Sequence, residues 1–223
     1  MTTEETFIVT GATGGIGRAI VEALVNAGAS RVILACRNMA RAQALINEAG
    51  PTATRLEARP LDLMSTESVG SFARGIIADG IRVKTLFNNA GIMPGGVTLS
   101  ADGHEAATQT NLISTILLTE LLLPAIADGG SIVFTTSMTR RIARFRRDWN
   151  EIAISRHNRF VTYGRSKKML TAYALKLSQR LAPRSIRVNC SDPGIVDSGI
   201  ITMGHPLVDR LCNLLFRPRI YRS

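Results

Sequence analysis

The stretch Thr10-Gly11-Ala12-Thr13-Gly14-Gly15-Ile16-Gly17 decides how this chain folds. It follows a short apolar run at residues 7–9, which predicts a strand, and it opens an amphipathic segment at residues 18–27, which predicts a helix. Glycines at a strand-to-helix turn let the backbone bend sharply and approach a ligand closely, and the free N–H groups of the helix favour phosphate. The spacing is GxxxGxG rather than the GxGxxG of the usual dinucleotide fingerprint, so a glycine-rich turn without a ligand stays an alternative.

Apolar runs and helix-like segments alternate along the rest of the chain. Strands are predicted at residues 7–9, 31–35, 54–61, 85–87, 131–136 and 186–190, and helices at residues 16–27, 40–48, 65–77, 105–123 and 162–181. Because the strands are apolar on both faces, they predict a parallel sheet covered by helices on both sides. Right-handed connections make such a sheet doubly wound, so the predicted fold class is α/β with a single Rossmann sheet.

In a sheet of this kind, ligands bind beyond the carboxyl ends of the strands. The residues that stand out by their chemistry fall at these ends, namely residues 11–17, Arg37, Asp62, Asn89, Ser137 and Pro193-Gly194. Because they converge on one edge of the sheet, the pattern favours a ligand site over a bare glycine turn.

Length and composition indicate a globular protein in a reducing compartment. The 223 residues suffice for one sizeable domain, and 45% hydrophobic and 20% charged residues are typical of soluble proteins. Three cysteines without paired spacing argue against a disulfide framework or a metal site. Residues 1–5 lack a signal-peptide pattern, and the apolar run at residues 112–127 is shorter than the roughly 20 residues of a membrane span. We therefore expect a cytoplasmic protein.

The net charge of +10 comes mostly from clustered arginines. One stretch contains Arg140, Arg141, Arg144, Arg146, Arg147, Arg156 and Arg159. Such a patch could contact phosphate, an acidic substrate or, peripherally, an anionic membrane surface, and it could equally be a solvated loop. A nucleic-acid site is not indicated, because the three tyrosines and one tryptophan are not interleaved with basic residues as stacking sites require.

Tyr163 and Lys167 lie four residues apart in a predicted helix, so both project from one face. A tyrosine has an ordinary pKa of about 10, and a nearby ammonium favours the phenolate and lowers that pKa. The pair could then exchange a proton with an alcohol or carbonyl oxygen, which the hydroxyl of Ser137 could hold. The same spacing also fits a core tyrosine beside a surface lysine.

Taken together, these motifs resemble the short-chain dehydrogenase/reductase family over nearly the whole chain. The resemblance rests on residues 10–17, Asn88-Asn89-Ala90-Gly91, Asn111, Ser137, Tyr163-Gly164-Arg165-Ser166-Lys167 and Asp192-Pro193-Gly194, in family order and at family-like spacing. It implies that Tyr163 is the catalytic acid/base and that Ser137 polarises the substrate oxygen. It also implies that Lys167 lowers the pKa of the tyrosine and bonds the nicotinamide ribose.

Asn111 completes the implied catalytic set by anchoring a water that links Lys167 to solvent. An asparagine inside an otherwise apolar helix is also a mild misfit by propensity and burial, which favours a hydrogen-bonding role. The resemblance further implies a set of cofactor contacts: Gly11, Thr13, Gly15, Ile16, Gly17, Arg37, Asn38, Asp62, Leu63, Asn89, Ala90, Gly91, Tyr163, Lys167, Pro193, Gly194 and Val196.

The residues after the second strand indicate which dinucleotide binds. NAD sites place an acidic residue there to accept the ribose 2′-hydroxyl, whereas this chain has Cys36 followed by Arg37. An arginine fork suits a 2′-phosphate, although Arg37 could also be a solvated residue at the start of a helix. We therefore expect NADP(H), with roughly a 10- to 100-fold preference from one charged hydrogen bond.

The segments Ala35-Cys36-Arg37-Asn38 and Trp149-Asn150-Glu151 look most like the retinol-dehydrogenase-like branch of the family. That branch acts on retinoids, steroids and other lipophilic carbonyl compounds. By this resemblance, a substrate loop extends over about residues 138–160, and a short C-terminal segment covers about residues 198–223. Within that segment, residues 207–216 are apolar enough to form a substrate lid, a partner helix or a surface anchor. Family members usually continue with another helix and strand, so either the chain is a shortened one or its sheet lacks that last strand.

The sequence thus predicts a single NADP-binding Rossmann domain over residues 1–223. We expect an NADP(H)-dependent oxidoreductase that interconverts a small-molecule carbonyl compound and an alcohol, and that assembles as a homo-oligomer. The alternative is a non-catalytic dinucleotide-binding protein whose basic loop contacts an acidic partner or a membrane.

Overall fold

Six parallel strands form the centre of the described part of the chain, which comprises residues 4–144, 154 and 157–194 of a computed structural model. The strands are β1 Thr6–Thr10, β2 Arg31–Cys36, β3 Arg55–Pro60, β4 Val83–Asn88, β5 Ile126–Thr135 and β6 Arg187–Ser191. Their order in the sheet is β3-β2-β1-β4-β5-β6, and every neighbouring pair is parallel. The predicted doubly wound α/β fold is confirmed.

Helices connect the strands and cover both faces of the sheet. They are α1 Gly15–Asn26, α2 Met39–Ala49, α3 Thr66–Ala78, α4 Ala106–Thr108, α5 Ser114–Leu122 and α6 Arg159–Leu181. A π turn, Gln109–Ile113, separates α4 from α5, and 3₁₀ turns occupy Met138–Arg141 and Ala182–Arg184. Within the described ranges, none of the helices combines the length and apolar character needed to cross a bilayer.

Two hydrophobic cores lie on opposite faces of the sheet. Successive side chains of a strand point to opposite faces, so Ile8 and Ile33 lie in one core while Val9 and Leu34 lie in the other. Helices α1 and α2 cover the second core, and α3, α5 and α6 cover the first. Burying one large aliphatic side chain contributes about 1.5–3 kcal/mol to the free energy of folding. The two cores therefore stabilise the sheet and fix the positions of its strand ends.

One predicted helix is interrupted. The apolar pattern predicted a continuous helix at residues 105–123, but the π turn breaks it around Asn111. The wholly buried Gln109 lies in this turn, where its amide contacts Ser100 Oγ at 3.2 Å and donates to Ser114 Oγ at 2.8 Å. Hydrophobic periodicity does not detect such an irregularity, because the buried face continues on both sides of it.

Helix α6 begins three residues before its predicted start at residue 162. The side chain of Asn158 accepts hydrogen bonds from the backbone N–H groups of Phe160 and Val161, both at 3.1 Å. This is a helix N-cap, and it draws the first turn of α6 back to Arg159.

The edge strand β3 presents alternating charges. Glu57 accepts hydrogen bonds from the largely buried Arg31 of β2 and, at 2.5 Å, from Arg59, which also contacts Asp79 at 2.6 Å. Charged side chains on an edge strand discourage pairing with other chains. Burial alone would raise the pKa of Glu57, but the hydrogen bonds from Arg31 and Arg59 outweigh it, and the net pKa is lowered.

We predict that Glu57→Gln lowers the free energy of unfolding by about 1–2 kcal/mol at pH 7, because it leaves the largely buried Arg31 guanidinium with only the more distant carboxylate of Glu4, at 3.8 Å. The pKa of Glu57 is lower in the folded chain than in the unfolded one. Its contribution is therefore complete above the unfolded pKa and is lost as pH falls through the folded pKa. Urea unfolding of both proteins should show the difference shrinking below about pH 4. Arg55→Gln, at an exposed position 3.6 Å from the same carboxylate, is the control and should have little effect.

Candidate active site

A cleft of about 320 Å³ opens at the carboxyl ends of the central strands. It lies where the chain leaves β1 toward one side of the sheet and β4 toward the other, the place where doubly wound sheets bind ligands. Its volume is within the range of small-molecule sites, roughly 300–1,000 Å³.

Most of the sequence-predicted contacts line this cleft together. They are Gly11, Thr13, Gly15, Ile16 and Gly17 after β1, Arg37 and Asn38 after β2, Asp62 and Leu63 after β3, Asn89, Ala90 and Gly91 after β4, and Tyr163 and Lys167 on α6. The structure adds lining residues outside the predicted set of contacts: Thr10, which belongs to the predicted glycine-rich turn, and Arg41, Thr110 and Thr135, which sequence reasoning missed.

Two of the predicted contacts do not line the cleft, and a third lies outside the described residues. Pro193 and Gly194 are described but do not line it. Gly194 has a φ of +71°, and its N–H donates to Asp192 Oδ1 at 3.2 Å. Val196 lies outside the described residues, as do most of the predicted substrate loop and all of the predicted C-terminal segment.

Two glycines of the turn after β1 are required by its geometry. Gly11 has a φ of +64°, and a Cβ there would lie 3.0 Å from the Cα of Ala90. A Cβ on Gly17 would lie 2.1 Å from the carbonyl oxygen of Gly11, which no side chain can tolerate. At Gly14, by contrast, the nearest atom to such a Cβ is 3.5 Å away, an ordinary contact.

Hydrogen bonds join the ends of β1 and β4 across the floor of the cleft. Thr10 Oγ1 accepts from the backbone N–H groups of Asn89 and Ala90, both at 3.0 Å, and donates to the carbonyl of Phe87 at 3.2 Å. The amide of Asn89 donates to the carbonyl of Thr10 at 3.1 Å. Asn89 therefore shapes the cleft by fixing the two strand ends.

Two arginines stand at the β2 end of the cleft. Arg37 follows β2, Arg41 lies in the first turn of α2, and both are exposed. The side-chain oxygen of Asn38 accepts a hydrogen bond from the backbone N–H of Arg41 at 2.9 Å. This bond caps the start of α2, where Arg41 follows Arg37 by four residues. Cys36 is buried, and burial raises the pKa of its thiol.

Asp62 shapes the loop after β3. Its carboxylate accepts from the N–H of Met64 at 2.9 Å, and its own N–H donates to Ser68 Oγ at 2.9 Å. This local turn places Leu63 and Met64 along the wall of the cleft.

Tyr163 and Ser137 are brought together by a close approach of two backbones. A Cβ on Gly164 would lie 2.6 Å from the carbonyl oxygen of Thr139, so only glycine lets α6 touch the turn that follows Ser137. Burial raises the pKa of Tyr163 to about 12, although the hydrogen bond with Ser137 acts to lower it; the carboxylate of Asp192 raises it further. The phenol is therefore protonated at neutral pH.

Lys167 carries a fully buried ammonium. Its Nζ donates to the carbonyl of Thr135 at 2.7 Å and lies 5.6 Å from the centre of the Tyr163 ring. Burial lowers the pKa of Lys167 to about 8. The sequence predicted that this lysine makes the tyrosine more acidic, but in the structure the effect of burial on Tyr163 outweighs any such influence.

Asn111 fixes the wall beside the lysine. Its Oδ1 accepts from the N–H of Ile92 at 2.8 Å, and its Nδ2 donates to the carbonyl of Ile92 at 2.9 Å and to Ser166 Oγ at 3.2 Å. A Cβ on Gly91 would lie 3.4 Å from Asn111 Oδ1 and 3.3 Å from Lys167 Nζ, so all three meet at one point. The predicted water link through Asn111 stays a prediction.

Comparison with known proteins identifies the family. The family model described as short chain dehydrogenase matches residues 5–204, nearly the whole chain. The chain belongs to the short-chain dehydrogenase family of oxidoreductases. The predicted family and its retinol-dehydrogenase-like branch are thereby confirmed, since curated relatives of this chain are named retinol dehydrogenases.

Retinol dehydrogenase 14 of Mus musculus is 32% identical over 95% of this chain and 67% of its own length. Retinol dehydrogenase 13 of Homo sapiens is 34% identical over 86% of this chain and 59% of its own length. The chain thus spans about three fifths to two thirds of the length of these relatives. A crystal structure of a short chain dehydrogenase from Burkholderia cenocepacia J2315 in complex with NADP superposes with a TM-score of 0.73, at 27% identity, covering 93% of this chain and 81% of that one.

We predict that Gly17→Ala lowers the free energy of unfolding by at least about 1–3 kcal/mol, because the backbone of the turn must move to admit the methyl group. Gly14→Ala is the matched control in the same turn and should cost less than about 1 kcal/mol, since its Cβ meets only an ordinary contact. Urea unfolding measures both changes. Equal stability of the two variants would contradict the described geometry of the turn.

Proposed function

We propose that the protein is an NADP(H)-dependent oxidoreductase that interconverts a carbonyl compound and an alcohol. The observation that carries the proposal is that Tyr163 and Lys167 line one cleft, with Ser137 hydrogen-bonded to the tyrosine beside it. At the β2 end of that cleft stand Arg37 and Arg41. Membership of an oxidoreductase family supports the reaction class.

In this proposal the protein supplies a proton and a place for the substrate oxygen. A nicotinamide bound in the cleft supplies or accepts the hydride. Ser137 Oγ holds the carbonyl oxygen by a hydrogen bond, and the phenol of Tyr163 donates the proton that turns this oxygen into a hydroxyl. A pKa of about 12 keeps Tyr163 protonated at neutral pH, which suits the reduction of a carbonyl.

Alcohol oxidation requires the reverse proton transfer, from substrate to the phenolate. The ammonium of Lys167, 5.6 Å from the tyrosine ring, favours the phenolate by its charge. Because its Nζ is anchored on Thr135 at the edge of the cleft, Lys167 is also placed to hydrogen-bond a ribose hydroxyl.

The charge at the β2 end of the cleft favours NADP(H). Cys36 occupies the place at the end of β2 where an acidic residue would accept a ribose 2′-hydroxyl, and two exposed arginines line the cleft beside it. Guanidinium groups suit the charge and geometry of a phosphate. The NADP complex of the Burkholderia relative supports the same assignment.

A lipophilic substrate is the second part of the proposal. Met138 is 50% exposed and Ile142 62% exposed in the residues that follow Ser137, and Phe160 at the start of α6 is also exposed. These apolar side chains lie within five residues of Ser137 or Tyr163 in the chain, and relatives are named for retinol and polyprenol. The cytoplasmic location, the homo-oligomer and peripheral membrane contact of the arginine-rich segment stay predictions from sequence, as does the domain span 1–223.

We predict that Tyr163→Phe lowers kcat for a panel of lipophilic aldehydes, ketones and alcohols by at least about 100-fold, because the general acid is removed. NADPH affinity, measured by fluorescence, should change little. Tyr173→Phe is the matched control on the same helix; its hydroxyl contacts Glu120 rather than the cleft, and activity should persist.

Retention of full activity in Tyr163→Phe would contradict the assignment. A wild-type protein that binds NADPH but turns over nothing in the panel would favour the alternative, a non-catalytic dinucleotide-binding protein.

We predict that Arg37→Ala and Arg41→Ala each raise KM for NADPH by roughly 10- to 100-fold and leave KM for NADH nearly unchanged, because each removes a charged hydrogen bond to the 2′-phosphate. Steady-state kinetics with both cofactors measures this. Arg55→Ala, on the edge strand outside the cleft, controls for the loss of a positive charge. Equal losses with NADPH and NADH would overturn the assignment.

A further inference from the structure

An ion pair joins the turn that carries Ser137 to the loop after β6. Arg140 lies in the 3₁₀ turn that Ser137 caps, and its Nη1 donates to the carbonyl of Ser137 at 2.9 Å. The same nitrogen contacts the carboxylate of Asp192. One guanidinium therefore holds both the backbone of Ser137 and an acidic side chain that arrives from the neighbouring strand.

The surroundings give this pair a defined place. The N–H and hydroxyl of Thr136 both donate to the carbonyl of Ser191, at 2.7 and 3.2 Å, and so fasten the ends of β5 and β6 together. The side chains of Arg140 and Asp192 are 28% and 23% exposed, so water screens their charges only in part.

We propose that Arg140 is a positioning residue that holds Ser137 in register with Tyr163, and that its pairing with Asp192 sets the local charge at the phenol. This inference rests on the proposed function for its catalytic meaning. The sequence identified Asp192 only as part of a family motif and Arg140 only as one of the clustered arginines.

Among the described residues, Tyr163 is influenced by a negative charge on the loop after β6 and by a positive charge on α6. The carboxylate of Asp192 raises the pKa of the phenol, while the ammonium of Lys167 lies 5.6 Å from the ring. Arg140 neutralises Asp192 at close range, and its charge also acts to lower the pKa of Cys190 on β6. Without Arg140, the negative charge of Asp192 is no longer neutralised and raises the pKa of the phenol further. Without Asp192, that negative charge is absent and the pKa of the phenol falls.

The two partners therefore make opposite predictions. If the pair were only a structural link, breaking it from either side would produce the same kind of damage. If the pair sets the charge at Tyr163, Arg140→Gln should raise the pKa of the phenol and Asp192→Asn should lower it. The sign of the change thus separates the two roles.

The test measures the pH dependence of kcat/KM for alcohol oxidation, which rises as Tyr163 loses its proton. For Arg140→Gln we expect the whole rise to shift to higher pH by about half a unit or more, and for Asp192→Asn to shift to lower pH by a similar amount. Arg140→Gln should also lower kcat about tenfold through the displaced Ser137, with KM for NADP+ changed less than twofold.

Two control variants complete the design. Arg140→Lys keeps the charge and should recover most of the wild-type profile. Arg141→Gln removes the exposed neighbouring arginine and should not change the pH dependence of kcat/KM. Shifts of the same sign in Arg140→Gln and Asp192→Asn, or no shift in either, would overturn the proposal.

A second measurement needs no turnover. Carbon NMR of ring-labelled tyrosine, with Tyr163→Phe identifying the signal, reports the phenolate fraction at a fixed alkaline pH. A larger fraction in Asp192→Asn than in wild type supports the electrostatic role even if no substrate is found. If the enzyme is active but neither the pH profile nor the phenolate fraction changes in the two variants, the proposed function stands and this inference is refuted.

Discussion

A lysine ammonium held out of water at the end of β5 is the constraint around which the site is arranged. Lys167 is fully buried, and the carbonyl of Thr135 accepts its hydrogen bond. Burying a charge is costly unless it is hydrogen-bonded, so the surrounding backbone must be fixed. Gly91 has no side chain to meet the ammonium, and Asn111 holds the next residue of that segment by both its N–H and its carbonyl.

The same constraint explains why the site is made of several distant segments. The site requires hydrogen-bonding contact between one face of α6 and the residues that follow β1, β4 and β5. Close backbone contacts and local hydrogen bonds bring these segments together. Gly17 lets α1 start directly behind the turn, and Gly164 lets α6 touch Thr139. Thr10 and Asn89 then join the neighbouring strand ends. Each contact is local, but together they place a phenol, a hydroxyl and a cation beside one cleft.

Much of this arrangement could be predicted from sequence, because strand ends and glycine turns leave a strong pattern. The order of strands and helices, the glycine turn and most cleft residues followed from it. The electrostatics did not follow: the four-residue spacing of Tyr163 and Lys167 says nothing about how deeply each is buried, and burial dominates both pKa values. Arg41 was missed because it falls inside a predicted helix rather than in a loop at a strand end. The Arg140 contact with Asp192 was missed because it joins residues 52 positions apart.

The π turn at Gln109–Ile113 has an effect beyond the wall it supports. An added residue rotates every following side chain by about 100° around the helix axis. With that rotation, Thr119 faces the strand, where its hydroxyl accepts from the amide of Asn88 at 3.0 Å. The inward position of Asn111 and the contact of α5 with β4 through Thr119 therefore depend on the same irregularity, and removing it would displace both at once.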